Sequence, residues 1–263
     1  MVNVLDLSAL RNSGPLPRFE APALSGLAGI RHAFLTRKGG VSRPPYESLN
    51  LSHDNGDRDE QVLQNRVRVA ATFGFESSRL VLLNQMHQDG ILVLREPLQT
   101  TGSRLEYDAM ITDAPHLVLG IRTADCLPIF IADTRKKVIA AVHAGRQGTA
   151  LRITAKVLRK MKDVFDCRPN DLLVVMGPSI GPCCYEIDDK VFHAGWEPFA
   201  AARGGGKWML DLTRINIDQA RAEGIDRSQI SWIHLCTCCH PDLFFSYRRE
   251  GRTGRQLSFI GMV

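Results

Sequence analysis

The 263-residue sequence has no window of about 18 consecutive apolar residues, so no segment reads as a membrane span. Its composition excludes a collagen-like, disordered or coiled-coil chain. Neither sign of charge dominates: Lys plus Arg number 33 against 28 Asp plus Glu, a balance of +5. The basic residues are scattered, which argues against a dedicated nucleic-acid binder and suits a small anionic ligand. The N-terminus, Met1-Val-Asn-Val-Leu-Asp-Leu, has no basic head, sustained apolar stretch or small-residue cleavage site, so no secretory signal is read. The cysteines number seven, an odd count that reads as reduced thiols and predicts a cytoplasmic protein. A chain this long buries a full core without disulfides.

What is present is an alternation of strand and helix signals. Leu117-Val-Leu-Gly-Ile-Arg, Leu127-Pro-Ile-Phe-Ile-Ala and Val138-Ile-Ala-Ala-Val-His143 are short apolar runs bounded by polar residues. Such runs predict strands buried on both faces. Further strands are expected at 31–37, 80–83, 91–94, 172–176, 208–212, 230–235, 243–247 and 256–260. Leu151, Thr154, Leu158, Met161 and Phe165 step by three and four, which predicts a one-faced helix. A second helix is expected over 57–73, with Val62, Leu63, Val67, Ala70 and Phe73 apolar and Gly74 as its C-cap. Residues 189–199 and 213–222 also read as helical, and 42–58 as a long loop. No repeat or linker marks a boundary. The reading is one α/β domain over 1–263, a layered mixed sheet with helices packed over its faces, and residues 1–28 wrapping its surface.

Three residues stand at strand ends or in the turns beside them: His87 after Asn-Gln-Met, Cys126 in Thr123-Ala-Asp-Cys-Leu-Pro, and His143 opening His-Ala-Gly-Arg-Gln-Gly-Thr. Two imidazoles and a thiolate suit zinc and leave a fourth position for water or substrate. The same residues fit a metal-free hydrolase, with Cys126 as nucleophile, His143 as base and Asp125 or a backbone carbonyl orienting it. Spacing alone does not separate the two. Arg248, in Ser246-Tyr-Arg-Arg, is a candidate phosphate clamp, and Arg37, in Thr36-Arg-Lys-Gly-Gly, lies in a similar basic turn. Cys183, Cys184, Cys236, Cys238 and Cys239 form two tight groups. Such groups suit a structural metal site, but adjacent cysteines ligate one zinc poorly, so they read as small buried hydrophobes, with redox reactivity or a non-catalytic partner-binding role as further alternatives.

Taken in order, Thr36-Arg-Lys-Gly-Gly-Val-Ser, Ser48-Leu-Asn-Leu, Gln85-Met-His, Thr123-Ala-Asp-Cys-Leu-Pro, Val142-His-Ala-Gly, Gly177-Pro-Ser-Ile-Gly-Pro, Phe245-Ser-Tyr-Arg-Arg and Thr253-Gly-Arg form a series. From about residue 30 onward the chain resembles the YfiH family of laccase-domain, or polyphenol oxidase-like, proteins. The resemblance implies a single layered α/β domain similar to a bacterial Cys-His deamidase toxin. It implies a zinc site at His87, Cys126 and His143. It implies phosphorolysis of adenosine, inosine and S-methyl-5′-thioadenosine to free base and sugar 1-phosphate, and adenosine deamination. Asn50, Gln85 and Asp125 become candidates to hold base or sugar, and Arg37 or Arg248 to steer phosphate. Copper-dependent phenol oxidation and peptidoglycan editing are further activities attached to the family. The expected partners are a nucleoside and phosphate, with no nucleic acid or membrane, in a monomer or homodimer.

The sequence departs from the family at one place. The usual His-Ala-Gly-Trp-Arg-Gly is here His143-Ala-Gly-Arg-Gln-Gly148, so the arginine stands one residue early. The eight histidines include no His-x-His pair, which argues against a laccase-type copper cluster, while a lone His-Cys-His site holds zinc or copper.

Overall fold

The computed structural model describes residues 2–96 and 105–262. Among these residues the strands form three sheets. A seven-stranded sheet runs in the order Asn3–Leu5, Ile230–Ile233, Leu172–Met176, Leu127–Asp133, Ile139–Ala144, Ala109–Thr112, Ile91–Leu94. A six-stranded sheet runs Leu10–Arg11, Arg18–Phe19, Ile30–Leu35, Gln256–Met262, Val118–Thr123, Leu80–Leu82. A small third sheet pairs Glu186–Asp188, Lys207–Leu210 and Ala200–Gly204. Parallel and antiparallel pairings mix in both large sheets.

The expected single sheet is two sheets face to face, and the alternation of side chains shows why. Successive strand residues point to opposite faces. Phe130, Ala132, Ile139 and Ala141 pack with Phe34, Leu119, Ile121 and Ile260 of the other sheet in one core. Their neighbours Ile129, Ile131, Ala140 and Val142 turn the other way, onto the helix Ile153–Phe165. On the far side, Ala33, Leu35, Val118 and Phe259 carry the helix Asp59–Phe73. The layers are therefore helix, sheet, sheet, helix. Both large sheets lack a wet face, which is why their strands read as continuous apolar runs.

Several local expectations are corrected. Leu151 is exposed because the helix begins at Ile153, behind Arg152 in a left-handed conformation. In the Asp59–Phe73 helix Leu63 and Val67 face solvent, and Val62, Val69, Ala70 and Phe73 form the buried stripe. Residues 189–199 form only two short 3-10 turns, Asp189–Val191 and Glu197–Phe199, separated by an irregular stretch with Gly195 at positive φ. Residues 203–206 close a hairpin, with Gly204, Gly205 and Gly206 all at positive φ. Residues 243–247 are not a strand. The Gln256 side chain instead accepts a hydrogen bond from the Phe245 N–H (2.9 Å), and the chain turns into a short helix, Tyr247–Glu250, capped by Ser246. Residues 2–28 do more than wrap the surface. They add strands to both large sheets and bury Leu16, Phe19 and Leu24 completely.

Candidate metal and substrate site

The sheet register brings the three sequence-predicted donors together. Val118–Thr123 belongs to the six-stranded sheet and Leu127–Asp133 to the seven-stranded one, so Cys126 stands where the chain passes from sheet to sheet. His143 pairs with Pro128 and Ala144 with Leu127, which sets the His143 ring beside that turn. Leu80–Leu82 pairs in parallel with 118–120 and delivers the segment bearing His87 to the same edge. The donor atoms of His87, Cys126 and His143 all lie within 4.8 Å of one another. The two imidazoles meet edge to face at 4.8 Å between centroids. His87 and Asp125 adopt positive φ, 60° and 95°, conformations that strain non-glycine residues and are held by their surroundings.

What holds them is Asp108, a residue the sequence reading passed over. It is fully buried, and Oδ1 accepts hydrogen bonds from His143 Nδ1 (2.8 Å) and from the His87 backbone N–H (2.9 Å). Oδ2 accepts from the backbone N–H of Met86 (3.2 Å) and Gln88 (2.8 Å). One carboxylate thus orients one donor ring and the loop carrying the other. Because Nδ1 of His143 is engaged, Nε2 is the atom left for a ligand.

The electrostatics follow from these contacts. Burial raises the Cys126 thiol, but the His143 charge and hydrogen bonds from both imidazoles outweigh it and bring it down to about 6. Burial lowers His143, yet the Cys126 thiolate and the Asp108 carboxylate lift it to about 9. Burial likewise raises Asp108, and the His143 and backbone hydrogen bonds leave it below the usual carboxylate range. A thiolate near neutral pH beside two nitrogens is the donor set that a borderline-soft divalent ion takes. The fit is close. A Cβ at Gly145 would stand 3.0 Å from Cys126 Sγ and 3.3 Å from the His87 ring, so any side chain there crowds two of the three donors.

The donors open into a cavity of about 510 Å³, within the usual range of small-molecule sites. Arg122, Arg248, Arg255, Tyr185, Tyr247 and Asn84 line it with the donor triad. Arg248 stacks over Tyr185 (5.1 Å) and Arg255 over Tyr247 (5.9 Å). The buried Arg122 Nε and Thr123 Oγ1 have no hydrogen-bond partner among the described residues.

The other candidates divide. Arg248 lines the cavity, with Nη1 given to the carbonyls of Glu186 and Cys184. Gln85 lines it too, but both ends of its amide bind the Arg122 backbone (2.8 and 2.9 Å), a holding role. Asp125 lines it with a carboxylate occupied by Thr237 Oγ1 and the Arg248 N–H, both at 2.7 Å, so it does not orient His143. Asn50 is buried outside the lining, where Oδ1 accepts the Arg255 N–H at 2.9 Å. Arg37 also lies outside, with Nη1 bonded to Glu250 and the Pro241 carbonyl. Arg146 is not a lining residue, though its charge reaches Tyr185. Of the cysteines, only Cys167 is buried as a small hydrophobe. Cys183 and Cys239 are exposed, and Cys126, Cys184, Cys236 and Cys238 half-buried.

These features define a layered α/β protein with a two-imidazole, one-thiolate donor site in an arginine-lined cavity. Residues 31–263 match the family described as "Multi-copper polyphenol oxidoreductase laccase", and the chain belongs to that family. It is 33% identical over 243 residues to the purine nucleoside phosphorylase YlmD of Bacillus subtilis, covering 87% of each chain. It is 36% identical to a purine nucleoside phosphorylase of Deinococcus radiodurans, covering 94% of this chain and 93% of that one. The crystal structure of YlmD from Geobacillus stearothermophilus is similar throughout, with a TM-score of 0.89 at 32% identity over 96% of this chain and 97% of that one. Among the described residues no helix is long and apolar enough to cross a membrane.

Proposed function

We propose that this protein is a zinc-dependent purine nucleoside phosphorylase acting on adenosine, inosine and S-methyl-5′-thioadenosine. The observation that supports it most is the meeting of the His87, Cys126 and His143 donors with three arginines in one cavity. Bound zinc, held by those three residues, would supply a Lewis acid at its open coordination position. Arg122, Arg248 and Arg255 offer guanidinium groups to the phosphate, whose oxygens match their forks. Tyr185 and Tyr247 offer ring faces to the purine. In the reaction the C1′–N9 bond breaks with its electron pair passing to the purine. A phosphate oxygen forms the new bond to C1′, and the proton of hydrogen phosphate ends on the base. Asp108 keeps His143 in one tautomer and His87 in place throughout.

Adenosine deamination at the same site, with water replacing the C6 amino group as ammonia leaves, is favoured by a donor set similar to that of the zinc nucleobase deaminases. A metal-free thiol hydrolase is favoured by the Cys126, His143, Asp108 series, a nucleophile, base and orienting carboxylate in contact. It uses His87 only as a second hydrogen-bond donor to the thiolate, whereas a metal ion uses all three donors alike, which is why the metal reading is preferred. Copper in the same site would give phenol oxidation as a side activity, read as oxygen-dependent oxidation of a phenol by copper-loaded protein.

Zinc-loaded protein is expected to release hypoxanthine from inosine only when phosphate is present, and Cys126→Ala to abolish the release. No turnover by zinc-loaded protein overturns the reading. Protein without stoichiometric zinc that is active and is inactivated by iodoacetamide at Cys126 alone establishes the thiol hydrolase instead.

A further inference from the structure

The remaining thiols converge at a second place. The Sγ atoms of Cys183, Cys184, Cys236 and Cys239 all lie within 4.8 Å of one another, and none is in a disulfide. Cys239 Sγ is 3.5 Å from Cys183 Sγ and 3.4 Å from Cys184 Sγ. Four sulfurs at tetrahedral corners, each about 2.3 Å from a zinc ion, stand roughly 3.8 Å apart. We propose that these four cysteines form a second metal site, a tetrathiolate zinc site that clamps together two loops walling the cavity.

Three further observations carry the inference. First, adjacent cysteines ordinarily ligate one zinc poorly because their side chains diverge, but here Cys183 and Cys184 both turn toward Cys239 at nearly equal distance, the arrangement of four donors around one point rather than of two separate disulfide pairs. Second, the Gly181 N–H donates to Cys236 Sγ (3.2 Å), a backbone contact that favours a charged sulfur. Third, zinc with four thiolates carries two negative charges. Two arginines are bound to the backbone of the ligand loops: Arg248 to the Cys184 carbonyl, and Arg249 to the carbonyls of Thr237 and Cys238. The sequence held one signal for the site, since Cys236 and Cys239 stand in Cys-x-x-Cys spacing across Cys236-Thr-Cys-Cys239, where Cys238 obscures it.

The loops it joins are those that shape the cavity. Cys183 and Cys184 lie between Ile180 and Tyr185, both lining residues. Cys236 bridges to Ser179, and the next residue, Thr237, donates to the Asp125 carboxylate beside Cys126. The cluster therefore positions Tyr185 and the turn bearing Cys126 without touching substrate.

The test is cobalt uptake by reduced, metal-free full-length protein. Cys126→Ala, which removes the pocket thiolate, is expected to retain one equivalent of Co2+ with strong thiolate-to-cobalt charge-transfer absorption. Adding Cys236→Ser and Cys239→Ser to that variant is expected to abolish both. If Cys126→Ala takes up no cobalt, or its uptake survives the serine substitutions, the proposal falls. Should the serine variants not fold, thiol counting in the Cys126→Ala chain decides the matter. One equivalent of Zn2+ is expected to shield four thiols from alkylation. Shielding of none, or oxidation to disulfides in air without metal uptake, overturns the site. The outcome is independent of whether the pocket binds metal.

Discussion

Replacing Asp108 by Asn changes one charge and almost no volume, and its effect on metal affinity can be worked out from the four contacts the carboxylate makes. Oδ1 accepts from His143 Nδ1 and the His87 N–H, and Oδ2 accepts from the Met86 and Gln88 N–H groups. The substituted amide would have to put its NH2 group at one of these two oxygen positions, facing two donors either way. A hydrogen bond to a charged group contributes about 1.5–3 kcal/mol net. At about 1.4 kcal/mol per tenfold, losing the one to His143 weakens metal binding roughly 10- to 100-fold, the range found for groups that orient metal-bound imidazoles. Zinc affinity is read by competition with a chelator of known strength, with a thermal melt of the metal-free protein to report folding. A folded Asp108→Asn protein that binds zinc within about twofold of the parent would refute the reasoning, because the carboxylate would then not organise the donors.

Other consequences can be checked separately. Gly145→Ala is expected to weaken zinc binding roughly tenfold or more, since its methyl group pushes on the Cys126 sulfur and the His87 ring and sub-ångström misplacement at such sites is costly; unchanged affinity by chelator competition refutes the close approach. In metal-free protein the alkylation of Cys126 should rise with a midpoint at about pH 6 rather than at the ordinary thiol value, because His143 stabilises the thiolate; a midpoint near 9 contradicts the pairing. The charged pair exists between about 6 and 9. The Cys126 contribution to stability is lost as pH falls through about 6, and that of His143 as pH rises through about 9. Because the unfolded imidazole and thiol titrate at about 6.5 and 9.0, the two shifts nearly cancel in proton count, so denaturant midpoints of the apoprotein should stay nearly flat across that window, and a midpoint that climbs or falls steeply between pH 6.5 and 9 counts against the pair. Arg248→Ala should raise the KM for phosphate about tenfold or more, whereas Arg37→Ala should leave it unchanged, its guanidinium being held by Glu250 outside the cavity; initial-rate kinetics with varied phosphate separate the two.

The sequence showed the elements more readily than their assembly. Val118–Thr123, Leu127–Asp133 and Ile139–Ala144 were legible because strands buried on both faces leave uninterrupted apolar runs. That the second covering layer is another sheet was not legible, because a helix and a sheet demand the same apolar faces. His87, Cys126 and His143 were grouped by their strand-end positions and donor chemistry, and the family resemblance favoured zinc over the metal-free reading. Spacing alone did not group them, since the register that joins them is long-range. Asp108 was missed because a lone acidic residue at the start of a short strand has no local signature. Arg37 and Asn50 fall outside the cavity lining for the converse reason. A basic turn or a polar loop residue looks the same in sequence whether it faces a ligand or braces the loop beneath it, as Arg37 does through Glu250 and Asn50 through Arg255. Leu243–Tyr247 misled because its apolar residues fill the core from an irregular segment, where Phe244 and Phe245 are fully buried.

The most direct test of the central claim is anomalous diffraction at the zinc edge from crystals of protein prepared without added metal. A peak is expected that is bonded at once to a ring nitrogen of His87, to Cys126 Sγ and to His143 Nε2, at about 2.0–2.3 Å from each. Crystals of zinc-equilibrated protein with no density between those three atoms, and with the Cys126 sulfur bonded only to the His143 imidazole, would contradict it.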